Sequence, residues 1–251
     1  MMPAALIAIP AGVAGWVVSR RQTVVVTAET EEQRRTREQR RSLFDGVAGL
    51  YDAARQGYPA AIVDAICARA GIGRGAAVLE IGCGTAQLTR QLAGRALNLT
   101  AIDIGAAMIE GASHNVADPM ALFRVCSFEE FFGSGQFDLI VSACAFHWVD
   151  PSIGLAKAAR LLRPEGWLAL LTTGERYPEP LRTRLRELWM RYSHQTEPWA
   201  DQPAWSTALR ETTLFGETVE VRHTKALRLP VQTVMGLERT RATFLGYSKQ
   251  D

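Results

Sequence analysis

The stretch VLEIGCGTAQLTRQLA, Val78 to Ala93, constrains the fold more than any other part of the chain. It opens as a short apolar run of strand length, passes through Gly82 and Gly84, and continues with helical texture over Ala86–Ala93. A buried strand that turns through glycines straight into a helix is the first half of a βαβ unit. Glycine carries no Cβ, so the backbone can turn tightly there and come close to a ligand. Asp103 closes the next strand-like run, roughly twenty residues on, where a carboxylate accepts hydrogen bonds from ribose hydroxyls. In an open parallel sheet, ligands sit beyond the carboxyl ends of the strands, and Gly82, Gly84 and Asp103 all fall at such ends.

The rest of the pattern is consistent with that start. Strand-like runs are Ala77–Ile81, Leu99–Ile102, Leu122–Val125, Phe137–Ser142 and Trp167–Thr172. Helical segments lie near Ala86–Ala93, Ala106–Asn115 and Pro151–Leu162, the last with Asp150 as N-cap and Pro151 at N1. RPEG, Arg163 to Gly166, reads as a turn before the next strand. Strands alternating with helices imply a mostly parallel sheet with right-handed crossovers. Upstream, short helices are expected around Leu43–Arg55 and Ala60–Ala70. Downstream of Thr173, two helices precede a strand over Glu217–Leu229, and Val231–Leu245 again looks helical.

The 251 residues suffice for one such domain. Residues 1–41 read as an extension, apolar and then charged, with little order of its own. Residues 42–251 form the domain, divided into a cap (42–74), a ligand-binding core (75–173) and a C-terminal cap region (174–251). Pro3 to Val18 is apolar and uncharged but too short to span a bilayer, and Pro10, Gly12 and Gly15 weaken it as a helix. It is a candidate for weak membrane association, without stable insertion. AETEEQRRTREQRR, Ala28 to Arg41, reads as a solvated helix with pairs such as Glu31–Arg35. A formal net charge of +2 gives no case for nucleic acid. Cys67, Cys83, Cys126 and Cys144 show no C-x-x-C pair, so neither a zinc site nor a disulfide scaffold is expected, and the reducing cytoplasm is the simpler setting.

Three details separate this loop from phosphate-binding ones. The third glycine of G-x-G-x-x-G is replaced by Gln87, which disfavours a dinucleotide. No Walker lysine is present. Glu80 brings a carboxylate beside the loop, where it repels a pyrophosphate and attracts an ammonium or sulfonium group. An NAD-type oxidoreductase is therefore the weaker alternative. A binding or regulatory module that keeps the same fold is the non-enzymatic one.

LEIGCGTAQLT, AIDIGAAMIEGA, SFEEF, FDLIVSACAFHWVDP and AARLLRPEGWLALL follow one another in the order seen in class I S-adenosylmethionine-dependent methyltransferases. LFDGVAGLYDAARQGYP also resembles the N-terminal cap of small-molecule members, including those similar to trans-aconitate methyltransferase. The resemblance spans about Leu43 to Thr172. Ala86 departs from it where many members carry glycine, and Glu165 where the usual turn has a second glycine. It implies an α/β, three-layer Rossmann-like sandwich with a mostly parallel central sheet, a helical N-terminal cap and a helical C-terminal insertion. The family sheet ends in a sixth and a seventh strand. Glu217–Leu229 can supply the sixth, but no seventh is evident before Asp251, so the sheet is one strand short, the chain is truncated, or the register differs.

Position by position, the resemblance implies a site for S-adenosyl-L-methionine, with S-adenosyl-L-homocysteine as product and no metal. Glu80, Gly82 and Gly84, with Cys83 between the glycines, would line the methionine part. Asp103 would hold the ribose and Ile104 pack on the adenine. Ser127, Phe128 and Glu129 would surround the adenine edge. Cys144 and Ala145 would present backbone groups to the methionine. A small-molecule acceptor would meet Tyr51, Arg55, Tyr58, His147 and Trp148. Methyl transfer to a carboxylate needs no base, whereas a hydroxyl, amine or carbon acceptor would use one, with His147 the candidate.

Overall fold

The computed structural model describes residues 6–20, 39, 43–132, 137–150, 153–175, 177–192, 204–241 and 245. Its strands are β1 (Leu6–Arg20), β2 (Ala77–Ile81), β3 (Asn98–Asp103), β4 (Ala121–Val125), β5 (Phe137–Ala143), β6 (Leu162–Glu175) and β7 (Phe215–Pro230). Its helices are α1 (Ala48–Ala54), α2 (Ala60–Arg69), α3 (Thr89–Leu92), α4 (Ala106–Asn115), α5 (Gly154–Leu161), α6 (Leu181–Tyr192), α7 (Ala204–Glu211) and α8 (Val231–Arg239). Short 3-10 turns stand at Asp45–Val47 and Phe146–Trp148. One seven-stranded sheet runs in the order β4-β3-β2-β5-β6-β1-β7. The five strands from β4 to β6 are mutually parallel, and β1 is antiparallel to both its neighbours.

The period of two along each central strand sorts side chains into two layers. Leu79, Ile81, Ile140, Leu168 and Leu170 face Leu155 and Ala158 of α5 and Trp205 and Leu209 of α7. Val78, Leu139, Val141, Ala169 and Leu171 face Ile62, Val63 and Ile66 of α2, with Leu88 and Leu92. Such two-sided burial is what continuous apolar runs in a parallel sheet predict. A third cluster, of Cys83, Ala86, Ala101, Ile109 and Ala112, packs α4 against the glycine loop.

Two expectations are corrected at the sheet's far end. The sheet is not one strand short: β1 fills the slot between β6 and β7, pairing from Ala11 to Ser19 with β6 and from Leu6 to Arg20 with β7. Residues 6–20 are thus paired as a strand of the sheet, where an extension with little order of its own was expected. The stretch pairs antiparallel to both neighbours, so its backbone N–H and C=O groups are satisfied on each side and the inner edges of β6 and β7 are closed. Pro10 lies just outside the span paired to β6, where a missing N–H is tolerated. No helix among the described residues is long and apolar enough to cross a membrane. The charged stretch Ala28–Arg41 lies outside the described residues except for Gln39.

Smaller corrections are local. The helix expected over Ala86–Ala93 is helical only from Thr89, because Ala86 takes φ +75° and breaks the first turn. Arg163–Gly166 lies within β6 as an irregularity: Leu162 pairs with Phe137 and Trp167 already with Leu139. The helix expected from Pro151 starts at Gly154, with Asp150 O accepting from the amides of Ile153 and Gly154. Pro151 lies outside the described residues.

Candidate functional site

A cleft opens at the carboxyl ends of β2, β3 and β5, enclosing about 670 Å³ of empty space with its mouth. Gly82, Gly84, Asp103, Ile104, Phe128, Cys144 and Ala145 line it, together with Tyr51 and Trp148. Gly82 has φ +69° and Gly84 φ +55°, a region where a Cβ is strained. A Cβ on Gly82 would stand 2.3 Å from that of Ala145, so this glycine is required by the close approach of the loop after β5. Ser142 donates its hydroxyl to Ile81 O at 2.8 Å and locks β5 to the base of the glycine loop.

Asp103 is the charged residue of the cleft wall. Its carboxylate accepts from the amides of Gly84 (3.0 Å) and Gly105 (2.9 Å), tying the glycine loop to the start of α4. A carboxylate offers about four acceptor positions, so a ligand's hydroxyls can still be received. Asp45 accepts from the amide of Ala107 and so satisfies the N-terminus of α4 from the cap, a duty Gly105 has no side chain to perform. A Cβ at Gly105 would come within 2.7 Å of that same Asp45 oxygen.

The remaining expected site residues stand elsewhere, each for a physical reason. Glu80 does not line the cleft. Strand alternation turns it to the α2–α3 side, where it is 1% exposed and its Oε2 accepts from Thr89 Oγ1 at 2.8 Å. Ile81 takes the cleft-facing place. Burial raises the Glu80 pKa to about 8, partly offset by the Thr89 hydrogen bond and reinforced by the nearby Asp103. Cys83 is buried against Ala86 and Ala101, and burial pushes its thiol pKa well up. Ser127 and Glu129 are engaged locally: Ser127 Oγ exchanges hydrogen bonds with Glu130, and Glu129 Oε1 accepts from the amide of Asp150. Arg55 donates to Oγ1 and O of Thr240 while lying over the Tyr51 ring, and Tyr58 is held by reciprocal backbone bonds with the Gln91 side chain.

His147 is exposed and does not line the cleft; its ring rests on Trp148 with centroids 4.7 Å apart. Crowding of the ring lowers its pKa to about 4, and its exposed edge works against that shift. Either way the imidazole is neutral at pH 7. Desolvation keeps Tyr51 and Tyr58 as neutral phenols, with pKa values above the ordinary range.

Lining residues that the sequence reading missed are Phe44, Ile81, Ile102, Met108, Cys126, Ala143 and Val149. The last apolar residues of β2 and β3 and the first turn of α4 could have been found by following the alternation past the glycines. Phe44 could not: it arrives from the cap, edge-on to Tyr51 and Trp148 with centroids 6.0 Å away from each. These rings form an aromatic mouth above the glycine loop.

Ala86 is the strained point of the loop. A left-handed backbone costs a residue with a Cβ roughly 1–2 kcal/mol. Its methyl is fully buried, which offsets about 0.8 kcal/mol and leaves the rest of the strain to be held by the surrounding contacts.

Residues 79–170 match the family described as "Methyltransferase domain". An uncharacterized methyltransferase of Mycobacterium tuberculosis is 31% identical over 128 residues, covering 51% of this chain and 51% of that protein. A malonyl-[acyl-carrier protein] O-methyltransferase of Anoxybacillus flavithermus is 37% identical over 109 residues, covering 42% of each. The chain thus spans about half the length of the curated relatives it matches. Among solved structures, the CcbJ methyltransferase of Streptomyces caelestis superposes with a TM-score of 0.43 at 20% identity, covering 52% of this chain and 57% of that one. Over residues 79–170 the chain is thus similar to the methyltransferase-domain family.

Proposed function

We propose that this protein transfers a methyl group from S-adenosylmethionine to a small-molecule acceptor. The observation that carries the reading is the cleft's floor: two glycines in left-handed geometry beside a strand-end carboxylate, with no basic residue among the described lining residues. That surface suits a ligand with an adenosine end and no phosphate. Gly82 and Gly84 would admit the methionine portion, Asp103 would receive the ribose hydroxyls, and Ile104, Met108 and Phe128 would flank the adenine. The bound donor supplies an already activated methyl carbon. The chain's task is then to align the acceptor and keep water out, and the mouth of Phe44, Tyr51 and Trp148 is apolar enough for both.

A carboxyl oxygen is the acceptor atom we favour. Support comes from the relatives whose names specify malonyl-[acyl-carrier protein] O-methylation. Such an acceptor is already anionic and needs no base, which agrees with the exposed position of His147 outside the described lining. Arg55, stacked on the cleft-lining Tyr51, would leave Thr240 to meet a carboxylate.

The test is calorimetry with S-adenosylhomocysteine and with NAD. Binding of the first and not the second is expected; no binding of the first ends the reading. Asp103→Ala should weaken S-adenosylhomocysteine binding by about 2 kcal/mol, roughly thirtyfold, from the loss of charge-assisted hydrogen bonds. A variant binding as tightly as the wild type removes Asp103 from the site.

A further inference from the structure

We propose that Asp52, on the cap helix α1, is a positioning residue that holds the glycine loop in its bent form at Ala86. The functional consequence rests on the reading of the cleft as the methyl-donor site. The structural part does not.

One carboxylate oxygen of Asp52 gathers donors from the loop and from both helices beside it. Oδ1 accepts from Thr85 Oγ1 (3.0 Å), Arg90 Nη2 (2.9 Å) and Asn115 Nδ2 (3.0 Å), with Gln87 Nε2 at 3.4 Å. Every one of these groups also grips the loop. Asn115 Nδ2 donates to Thr85 O, Arg90 Nε to Ala86 O, and Gln87 Nε2 to Thr85 Oγ1 at 2.6 Å. The residues converging on Asp52 therefore hold Ala86 from both sides and by its own carbonyl. Ala86 is the residue of this segment with φ +75° and a side chain, so it is where the loop would relax if released. A strained residue persists only where its surroundings over-determine it. Asp52 is the charge that joins those surroundings, since Thr85, Gln87, Arg90 and Asn115 bring donors to it and no anion of their own.

The same helix carries Tyr51 into the cleft, one of whose ring carbons lies 3.6 Å from where a Cβ on Gly84 would stand. Loop and aromatic mouth are thus set by one short element. A glycine at 86 would adopt the left-handed turn without help. The need for Asp52 follows from the alanine, and the two positions must be coupled.

Asp52→Ala, Ala86→Gly and the double variant test this in two ways. Hydrogen exchange is followed without ligand at the amides of Ala86 and Gln87, and S-adenosylhomocysteine affinity is measured by calorimetry. Asp52→Ala should speed loop exchange and weaken binding about tenfold each, the scale of the strain at an alanine held left-handed. Exchange in the β5 core should not change. Ala86→Gly in that background should recover most of both losses. Where Asp52→Ala does not fold, Asp52→Asn is used, with a smaller loss expected because the amide still accepts hydrogen bonds but no longer attracts Arg90. Losses that Ala86→Gly does not recover, or unchanged loop exchange in the Asp52 variant, would overturn the proposal. A wild type that binds no S-adenosylhomocysteine defeats the cofactor reading alone, and the exchange measurement still decides the role of Asp52.

Discussion

Gly82→Ala is expected to abolish measurable S-adenosylhomocysteine binding and to lower stability by about 3 kcal/mol. Two costs add. The backbone at 82 is left-handed, which costs a side-chain-bearing residue roughly 1–2 kcal/mol. The new methyl would also stand 2.3 Å from the Cβ of Ala145, so something must move, and overpacking of this kind costs about 1–3 kcal/mol. What moves matters more than the energy. Gly82 is tied to β3 through its amide on Ile102 O at 2.8 Å, so relief comes by pushing the Ala145 segment outward. Cys144, Ala145 and Trp148 line the cleft and go with it. Gly84→Ala is the control, because its nearest neighbours would be ordinary contacts at 3.5 Å or beyond. It should pay only the backbone strain and keep weak binding. Calorimetry and urea unfolding of both variants check this. A Gly82→Ala protein that binds within about threefold of the wild type would show that the glycine is there for the turn alone.

How far the sequence reached depended on whether a feature was local. The five parallel strands and α4 could be located from apolar periodicity, because each is a run whose pattern its own residues complete. The cleft wall at Gly82, Gly84 and Asp103 followed from strand ends, which periodicity also marks. The edge of the sheet did not follow. Residues 6–20 form a strand only because β6 and β7 are present on either side, some 150 residues and more down the chain. Read alone, Pro10 and the glycines argue against any element there. Glu80 was legible in part: the sequence puts its carboxylate beside the glycine loop, but only the strand alternation says which way the side chain turns. The sequence puts Glu80 on the same face as Val78, away from Ile81, and the structure keeps that order. Asp52 and Asp45 carried no signal at all, since a carboxylate on a cap helix looks like solvent-facing charge until its partners across space are known.

Glu80→Gln should make the ligand-free protein more stable at neutral and alkaline pH while weakening its grip on a cationic ligand. The sign follows from the raised pKa. The folded-state value is about 8 against an ordinary carboxylate value of 4.5. Below the lower value both folded and unfolded states hold the proton, and Glu80 adds no pH dependence. Between the two, the unfolded chain is ionised while the folded one is not, so stability falls as pH rises, by up to about 1.4 kcal/mol per unit. Above about 8 the loss is complete. Glutamine cannot ionise, and its Oε1 can still accept the Thr89 hydroxyl. Its amide N–H pair needs a new partner, which costs about 1–3 kcal/mol at every pH. The variant should therefore gain stability relative to the wild type steadily from pH 5 to pH 8, finishing ahead by on the order of 2 kcal/mol. Denaturant unfolding at several pH values checks this, and a difference that stays flat across the range would mean that Glu80 is ionised in the fold. Binding should move the other way. An ammonium or sulfonium group entering the cleft beside Ile81 and Gly82 favours the Glu80 carboxylate, so wild-type binding should release a proton and tighten as pH rises toward 8. Glu80→Gln should lose most of that component of proton release.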